Sequence, residues 1–375
     1  PSVNPGLIEV DWIELVREEP HPLTLARAWP ENDQVHFELR NDRNAPLRVT
    51  DGKGSFVVPP RGTRELTRPM DRAKAFEAVS IEVTSRELPA VRRTVFLYHP
   101  EASAQWYRLK SSNVTVQIVN DGSGATIFRG EKMVGLLAPI VHQDGHLPKM
   151  EVDPSHSVVG HKLRLHGDGV ALSLELIEDE MEIRIESQEA CEGPVVRCLG
   201  DLEQGLLAGL EYLGQNESSS STLDIETPEH LRFLPDRMQV TMPLMAFVTT
   251  KASMALRWDD MQLQPVYATP NFFDGTKDHR CALRGGRIEA TLRVCESPLE
   301  ELIVWAVQRH GLPPLPTAPR TDDEQREICL QALNGPLKTN DGWGHCVQPN
   351  WPRRPFADVA STYYRLNGEI LTLPE

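Results

Sequence analysis

The sequence predicts a mainly β protein with a short helical end, and three observations predict it. Thirty prolines and 25 glycines cut the 375 residues into short apolar runs, which suits strands and turns rather than long helices. Residues 172–187, LSLELIEDEMEIRIES, alternate apolar and polar positions on both sides of an acidic turn, Glu178-Asp179-Glu180. Period-two alternation marks a half-buried strand. Strong helix signals begin only near Ser297, which stands as N-cap with Pro298 at the first helical position and Glu300 three residues after the cap.

Taken in order, residues 1–103 are expected to form a small β-sandwich. Strands are expected at 7–13, 34–40, 46–50, 54–58, 79–85 and 91–98, separated by turns such as NDRNAP, DGKG and PPRG. Strands spaced about ten residues apart are the sandwich pattern. The run HFELRND with APLRVTDGKGSFVVPPRGT resembles an immunoglobulin-like or fibronectin-like module. Trp12, Trp29, Phe37 and Phe56 are scattered rather than gathered into a platform, so a spacer role is expected of it.

Residues 104–296 are expected to form a larger β region. In the hairpin at 172–187, Leu172, Leu174, Leu176, Met181, Ile183 and Ile185 should face one core. A second hairpin is expected between 239–249 and 254–258, across the polar turn Lys251-Ala252-Ser253, and a short helix is allowed at 202–213. Residues 297–375 then hold a helix ending at Gly311, with Leu299, Leu302, Ile303, Ala306 and Val307 on one face. A proline-rich linker at 312–319 follows, then a second helix capped by Thr321, a loop at 341–351 and a third helix at 356–366.

Composition narrows the function. Lys plus Arg number 39 against 54 for Asp plus Glu, a formal charge of −15, which argues against nucleic acid or another polyanion as partner. No run of about 18 apolar residues is present, so no membrane span is expected. Six cysteines without a C-x-x-C are too sparse for a disulfide-built fold; Cys191 with Cys198, and Cys281 with Cys295, either bridge or remain buried thiols. The chain opens on Pro1 with neither a methionine nor a signal peptide, as a processed protein or a fragment would.

The chemistry concentrates between Gly209 and Gly275. The second arm of the expected hairpin delivers Trp258, Asp259 and Asp260 at a strand end. An indole packs on the apolar face of a pyranose, and carboxylates accept its hydroxyls in pairs. The long polar segment before it, with Glu211, Tyr212, Glu217, His230 and Arg232, is too polar for a core and is expected to be an ordered site loop. QPVYATPNFFDG adds Asn271 and Asp274. The candidate catalytic carboxylates are therefore Glu211, Glu217, Asp259 and Asp260, and the candidate substrate-binding residues are Tyr212, Arg232, Trp258, Asn271 and Asp274. Trp258, Asp259 and Asp274 are expected on the rim of one pocket. Glycoside hydrolysis needs two carboxylates about 5–10 Å apart, and neighbours on a strand diverge, so Asp259 or Asp260 would pair with Glu211, Glu217 or Asp274 rather than with each other.

Five histidines, His142, His146, His156, His161 and His166, crowd one segment. Their spacing matches no H-E-x-x-H, and no metal or cofactor is expected; a metal-dependent enzyme built on His142 to His166 is the alternative.

This order of parts resembles the β-supersandwich followed by an (α/α) six-hairpin toroid of several glycoside hydrolases, including the glucoamylase-like and phosphorylase-like clans, and of some polysaccharide lyases. The resemblance covers residues 104–375 in architecture, without the catalytic signature of any one family. It implies a carbohydrate-active protein, either a glycoside hydrolase or the non-catalytic front portion of one, with a polysaccharide or oligosaccharide as partner and an extracellular or periplasmic setting. In such families the general acid and base sit in the toroid, and a supersandwich loop completes the sugar subsites. A lyase would cast Tyr212 or His230 as base and Arg232 as the group that neutralises a uronate. A full toroid needs about twelve helices at ordinary lengths, so either the chain is the front portion of a longer enzyme with a missing C-terminal helical domain, or its three helices merely cap the sandwich. In the first case Ile328, Leu330, Leu333, Trp343, Phe356, Val359, Tyr363 and Leu366 should be left partly exposed; in the second they should be buried against the sandwich. The alternative outside enzymes is a non-catalytic carbohydrate-binding or cell-surface β-sandwich protein.

Overall fold

The computed structural model describes residues 21–138, 140–142, 147–153, 161–221, 234–311, 319–335, 338–339, 342–343 and 357–368. It is mainly β, as the sequence predicts. Two compact units divide the chain, residues 1–311 and 312–375.

The first unit opens with a two-sheet sandwich. One sheet orders β1 (Leu23–Glu31), β2 (Gln34–Asn41) and β5 (Thr63–Pro69). The other orders β4 (Ser55–Val58), β3 (Leu47–Thr50), β6 (Phe76–Ser85) and β7 (Val91–Tyr98). Alternate residues of both sheets, among them Val35, Phe37, Leu39, Val79, Ile81 and Val83, close on one core. The expected strand at 7–13 lies outside the described residues. Strands β1 and β5 are absent from the sequence expectation for physical reasons. A register shift between Leu25 and Arg27 breaks the alternation of β1, and β5, which among the described residues pairs only with β2, reads TRELTRP with Leu66 as its one buried apolar residue.

The second β region is one large sheet. Its first strands are β8 (Trp106–Lys110), β9 (Val114–Val119), β10 (Ala125–Arg129), β11 (Lys132–Ala138), β12 (Val141–His142) and β13 (Glu151–Val152). Then come β14 (Lys162–Gly167), β15 (Val170–Ile177), β16 (Glu180–Glu192), β17 (Val195–Cys198), β18 (Leu202–Leu207) and β19 (Glu211–Leu213). The last are β20 (Leu244–Thr249), β21 (Ser253–Trp258), β22 (Gln264–Ala268) and β23 (His279–Cys295). Both expected hairpins form: β15 pairs with β16 around the acidic turn, and β20 pairs with β21 across residues 250–252. The allowed helix at 202–213 is instead the hairpin of β18 and β19. Leu202, Leu206, Leu210 and Leu213 fall at helical spacing, but Gly209 turns the chain at φ 97°, a conformation that glycine adopts without strain.

Strand β23 is the spine of the sheet, pairing with β16, β17, β21 and β22. Its Cys281, Leu283, Ile288, Leu292 and Val294 enter the main core, with Ile183, Ile185, Phe247, Met254 and Leu256. The opposite face of the sheet is covered twice. At one end Phe96 of β7 packs with Val195, Val266 and Ala282. At the other, helix α1 (Leu299–His310) lays Leu302, Trp305 and Ala306 on Leu206, Leu244, Ala246 and Ala255. The N-cap of α1 is Pro298, not Ser297, and no side chain caps it; the Ser297 carbonyl is held by the Ser253 hydroxyl at 2.6 Å. The helix ends at Gly311 as expected, with φ 79°. A further contact fixes the sandwich to the large sheet: Gly275, at φ 66°, lies so close to β1 that a Cβ there would stand 2.0 Å from the Ala28 carbonyl oxygen.

The cysteines described here, Cys191, Cys198, Cys281, Cys295 and Cys329, are free, and the first four are buried. Burial pushes the Cys198 thiol up to about 12, so it stays protonated and unreactive at neutral pH.

In the second unit α2 (Asp322–Asn334) starts on the expected Thr321, whose hydroxyl accepts from the Glu324 amide while the Glu324 carboxylate accepts from the Thr321 amide. Strand β24 (Lys338–Thr339) pairs with β25 (Gly342–Trp343), and α3 (Ala357–Asn367) follows. Ile328 is exposed, and Leu330, Leu333, Val359, Tyr363 and Leu366 are half-buried, in keeping with the expected partial exposure. Trp343 departs from it: the ring is buried and its Nε1 donates to the Leu333 carbonyl at 3.0 Å. Phe356 lies outside the described residues.

Candidate functional site

Strand parity decides where the predicted residues point. Along β21 the buried Leu256 and Trp258 belong to the main core, and Arg257 between them faces outward. Trp258 is 1% exposed, so its ring fills the core and does not stand on a rim beside Asp274. Asp259, one residue past the strand, is exposed. It accepts from Arg257 and lies 3.3 Å from His310 Nδ1 at the end of α1. Asp260, also exposed, accepts from the Gln262 amide at 2.8 Å.

On this outer face the register of β16, β23 and β21 builds a polar ladder. Glu182, Thr291 and Arg257 form one row, and Arg184 and Glu289 the next. With Asp259 they line a hollow of about 150 Å³, to which Ile183, Trp258 and Ala290 contribute as the strand residues between them. Three carboxylates, two guanidiniums and one hydroxyl therefore converge in one place. Glu182, Arg184, Glu289 and Thr291 are the members that sequence reasoning missed. The signal was the alternation itself: in EMEIRIES and RIEATLRV the polar positions share a face by period two.

Glu211 and Glu217 lie elsewhere. Glu211, nearly buried at the start of β19, accepts from the Ser220 amide at 2.9 Å and from its hydroxyl, and Glu217 accepts from the Gly214 amide at 2.6 Å. The serine run after them is docked on the edge of β22: Ser219 N–H donates to the Thr269 carbonyl, and Ser221 Oγ to the Tyr267 carbonyl at 2.8 Å. Tyr212 is exposed. Arg232 and His230 lie outside the described residues. Of the five crowded histidines, His142 is half-buried on β12, His161 and His166 are exposed, and His146 and His156 are outside the described residues. Among the described residues no group of three or more His, Cys, Asp or Glu side chains could hold a metal.

Asn271 and Asp274 are fully buried and already engaged. Asp274 accepts from the Phe96 amide at 2.8 Å, from Asn271 Nδ2 at 2.8 Å and from Arg280 at 3.2 Å, with Arg197 at 3.8 Å. Arg197 also pairs with Asp278 and donates to the Phe96 carbonyl at 2.8 Å. Arg280 continues to Glu192, which accepts from Arg284 at 2.7 Å. Beside them Arg93 reaches the carbonyls of Leu25 and Phe272, both at 2.6 Å. These groups bolt β7 of the sandwich to the large sheet, so Asn271 and Asp274 hold the joint rather than facing solvent.

Two carboxylates of this network make its stability pH-dependent. Burial alone would raise Glu192 and Asp278; Arg280 and Arg284 around the first, and Arg197 against the second, bring both below the usual carboxylate range. A carboxyl with a lower pKa in the folded than in the unfolded chain stabilises the fold above its unfolded pKa, and the stabilisation is lost as pH falls through the folded value. The unfolding free energy from urea titrations is therefore expected to decline below about pH 4, the ordinary carboxylate range. Asp278→Asn should flatten that decline, and an acid slope identical in the variant would refute the assignment.

No protein-family model matches the chain, and no curated protein matches it either. Solved structures similar to it include the alpha-N-acetylgalactosaminidase NagBb from Bifidobacterium bifidum, with a TM-score of 0.40 and 9% identity over 65% of this chain and 46% of that one. A GH31 family sulfoquinovosidase from E. rectale gives a TM-score of 0.30 and 12% identity over 70% of this chain and 46% of that one. The periplasmic domain of the Thermotoga maritima YidC gives 0.29 and 9% over 54% of this chain and 89% of that one. The chain thus spans less than half the length of either glycosidase.

Proposed function

We propose that this chain is the sugar-recognising β portion of a glycoside-hydrolase-like protein, acting on a polysaccharide or oligosaccharide in an extracellular or periplasmic setting. The outer-face hollow carries the reading. Glu182, Asp259 and Glu289 supply carboxylates, which accept vicinal hydroxyls in pairs, and Arg184, Arg257 and Thr291 supply donors around the same small space. That donor and acceptor set suits a neutral polyol.

One observation favours a hydrolytic version. Trp258 pairs with Ala290 at the last rung of β21, with Asp259 just past the strand end and Glu289 beside Ala290 on β23. Both carboxylates line the same hollow, and glycoside hydrolysis uses two carboxyl groups that flank the scissile bond.

The test is calorimetric titration of neutral oligosaccharides together with an assay of reducing ends. Binding should weaken about tenfold or more in Asp259→Asn or Glu289→Gln, as for loss of one charge-assisted hydrogen bond. Sugar release abolished by both variants would select hydrolysis over binding alone. A glycan panel without any binding, or binding unchanged in both variants, would sink the proposal.

A further inference from the structure

A second cavity, of about 510 Å³, lies between the sandwich and the large sheet. It falls within the ordinary size of small-molecule sites, roughly 300–1,000 Å³. Its sandwich wall comes from β1 and β7, with Leu23, Val91 and Phe96 among its apolar residues, and its far wall from β12, β16 and β23.

The charge of this lining is one-sided. Arg93, Arg280 and Arg284 line it with Glu192 as the one carboxylate of the lining, and Arg92, also in the lining, is ion-paired to Glu82. Glu192 is already saturated by Arg280 and Arg284, and Asp274 behind the wall is shared by Arg280 and Arg197. Arg284 spends only its Nε on Glu192, which leaves both terminal nitrogens without a partner among the described residues. Arg93 has only backbone carbonyls as acceptors, with no carboxylate within 4.0 Å among the described residues.

Unpartnered nitrogens gather here as well. His21 Nε2, Arg93 Nε, His142 Nδ1 and Arg280 Nε are buried without a hydrogen-bond partner, and all four residues line this cavity. Buried polar atoms are nearly always satisfied, so a cluster of exceptions calls for an explanation. Loss of solvation also lowers the Arg93 guanidinium to about 10, the mark of a cation without adequate counter-charge.

We propose that this cavity binds a small molecule carrying one oxyanion, a sugar acid above all, with the anion met by Arg284 and Arg93 and the ring laid along the apolar sandwich wall. Guanidinium forks match planar oxyanions. An anion would also supply negative charge beside Arg93, whose acceptors among the described residues are backbone carbonyls alone. The site is separate from the outer-face hollow, and its polarity is opposite: cationic here, mainly acidic there.

Calorimetry on the 375-residue chain tests it with three probes, glucuronate, glucose and inorganic sulfate. Glucuronate should bind and weaken with added salt, glucose should give no heat at this site, and sulfate should compete with glucuronate. Arg284→Gln should weaken glucuronate about tenfold or more, and Val91→Trp, which fills the space, should abolish binding. Arg43→Gln, at a half-buried arginine of the sandwich paired to Glu87, should change nothing. Sulfate binding without glucuronate, lost in Arg284→Gln, would keep the oxyanion site and identify a free inorganic anion as its occupant. Absence of binding by both anions, or full binding by Arg284→Gln and Val91→Trp, would overturn the proposal. Because Asp259→Asn should leave glucuronate binding intact, failure here is distinguishable from failure of the glycan reading.

Discussion

Replacing Asp274 by alanine is expected to cost about 3–5 kcal/mol of unfolding free energy, the range for breaking a buried ion pair from one side. The loss goes beyond the attractions removed. Arg280, Arg197 and the Phe96 amide all direct donors at this carboxylate in a space without water access, and each would be left with unmet charge or an unmet hydrogen bond. Because domains are stable by only about 5–15 kcal/mol, the variant should show a large drop in urea midpoint, with the sandwich loosened from the sheet. Asp259→Ala supplies the contrast. Its carboxylate is exposed and salt-bridged at the surface, where such pairs contribute about 0–1 kcal/mol. A cost for Asp274→Ala no larger than that for Asp259→Ala would refute the structural role of the first.

Trp258→Ala should be comparably severe, about 3–5 kcal/mol, because it empties the place of a fully enclosed ring in the main core. Trp258→Phe should cost far less, about 1–2 kcal/mol. The indole Nε1 has no partner among the described residues, so removing it relieves an unmet donor and offsets part of the lost volume. Thermal and urea unfolding of the two variants checks the pair. If alanine is tolerated and stability is unchanged while glycan binding disappears, the ring belongs to a binding surface after all.

Much of the fold was legible because it rests on local rules. Alternation at 172–187 specifies the β15–β16 hairpin and its core face, and the capping residues at Thr321 and the glycine at 311 mark helix ends within a residue. The same rule of alternation also orients Trp258 inward once Arg257 is placed outward, and the attraction of an aromatic beside two acids obscures it. The joint was not legible, since Glu192, Arg197, Asp274, Asp278 and Arg280 come from separate segments and meet only in the folded chain. A trace exists: Arg197 in VVRC and Arg280 in HRCAL interrupt buried apolar strands, and a charge in such a run implies a buried counter-charge. Nothing in the sequence says which one.

The placement of β23 sets the order in which this molecule can assemble. Among the described residues, strands β13 to β16 on one side and β17, β11, β10, β9 and β8 on the other are joined in the ladder only through β23, which comes after all of them in the chain. During synthesis, until residue 295 has left the ribosome, these two halves, together with the β18–β21 group and β22, each keep an edge that awaits the same strand. Open edges invite pairing with other chains, and pairings this distant in sequence close slowly. Its yield in a cell is therefore expected to rise with chaperones that shield nascent strands.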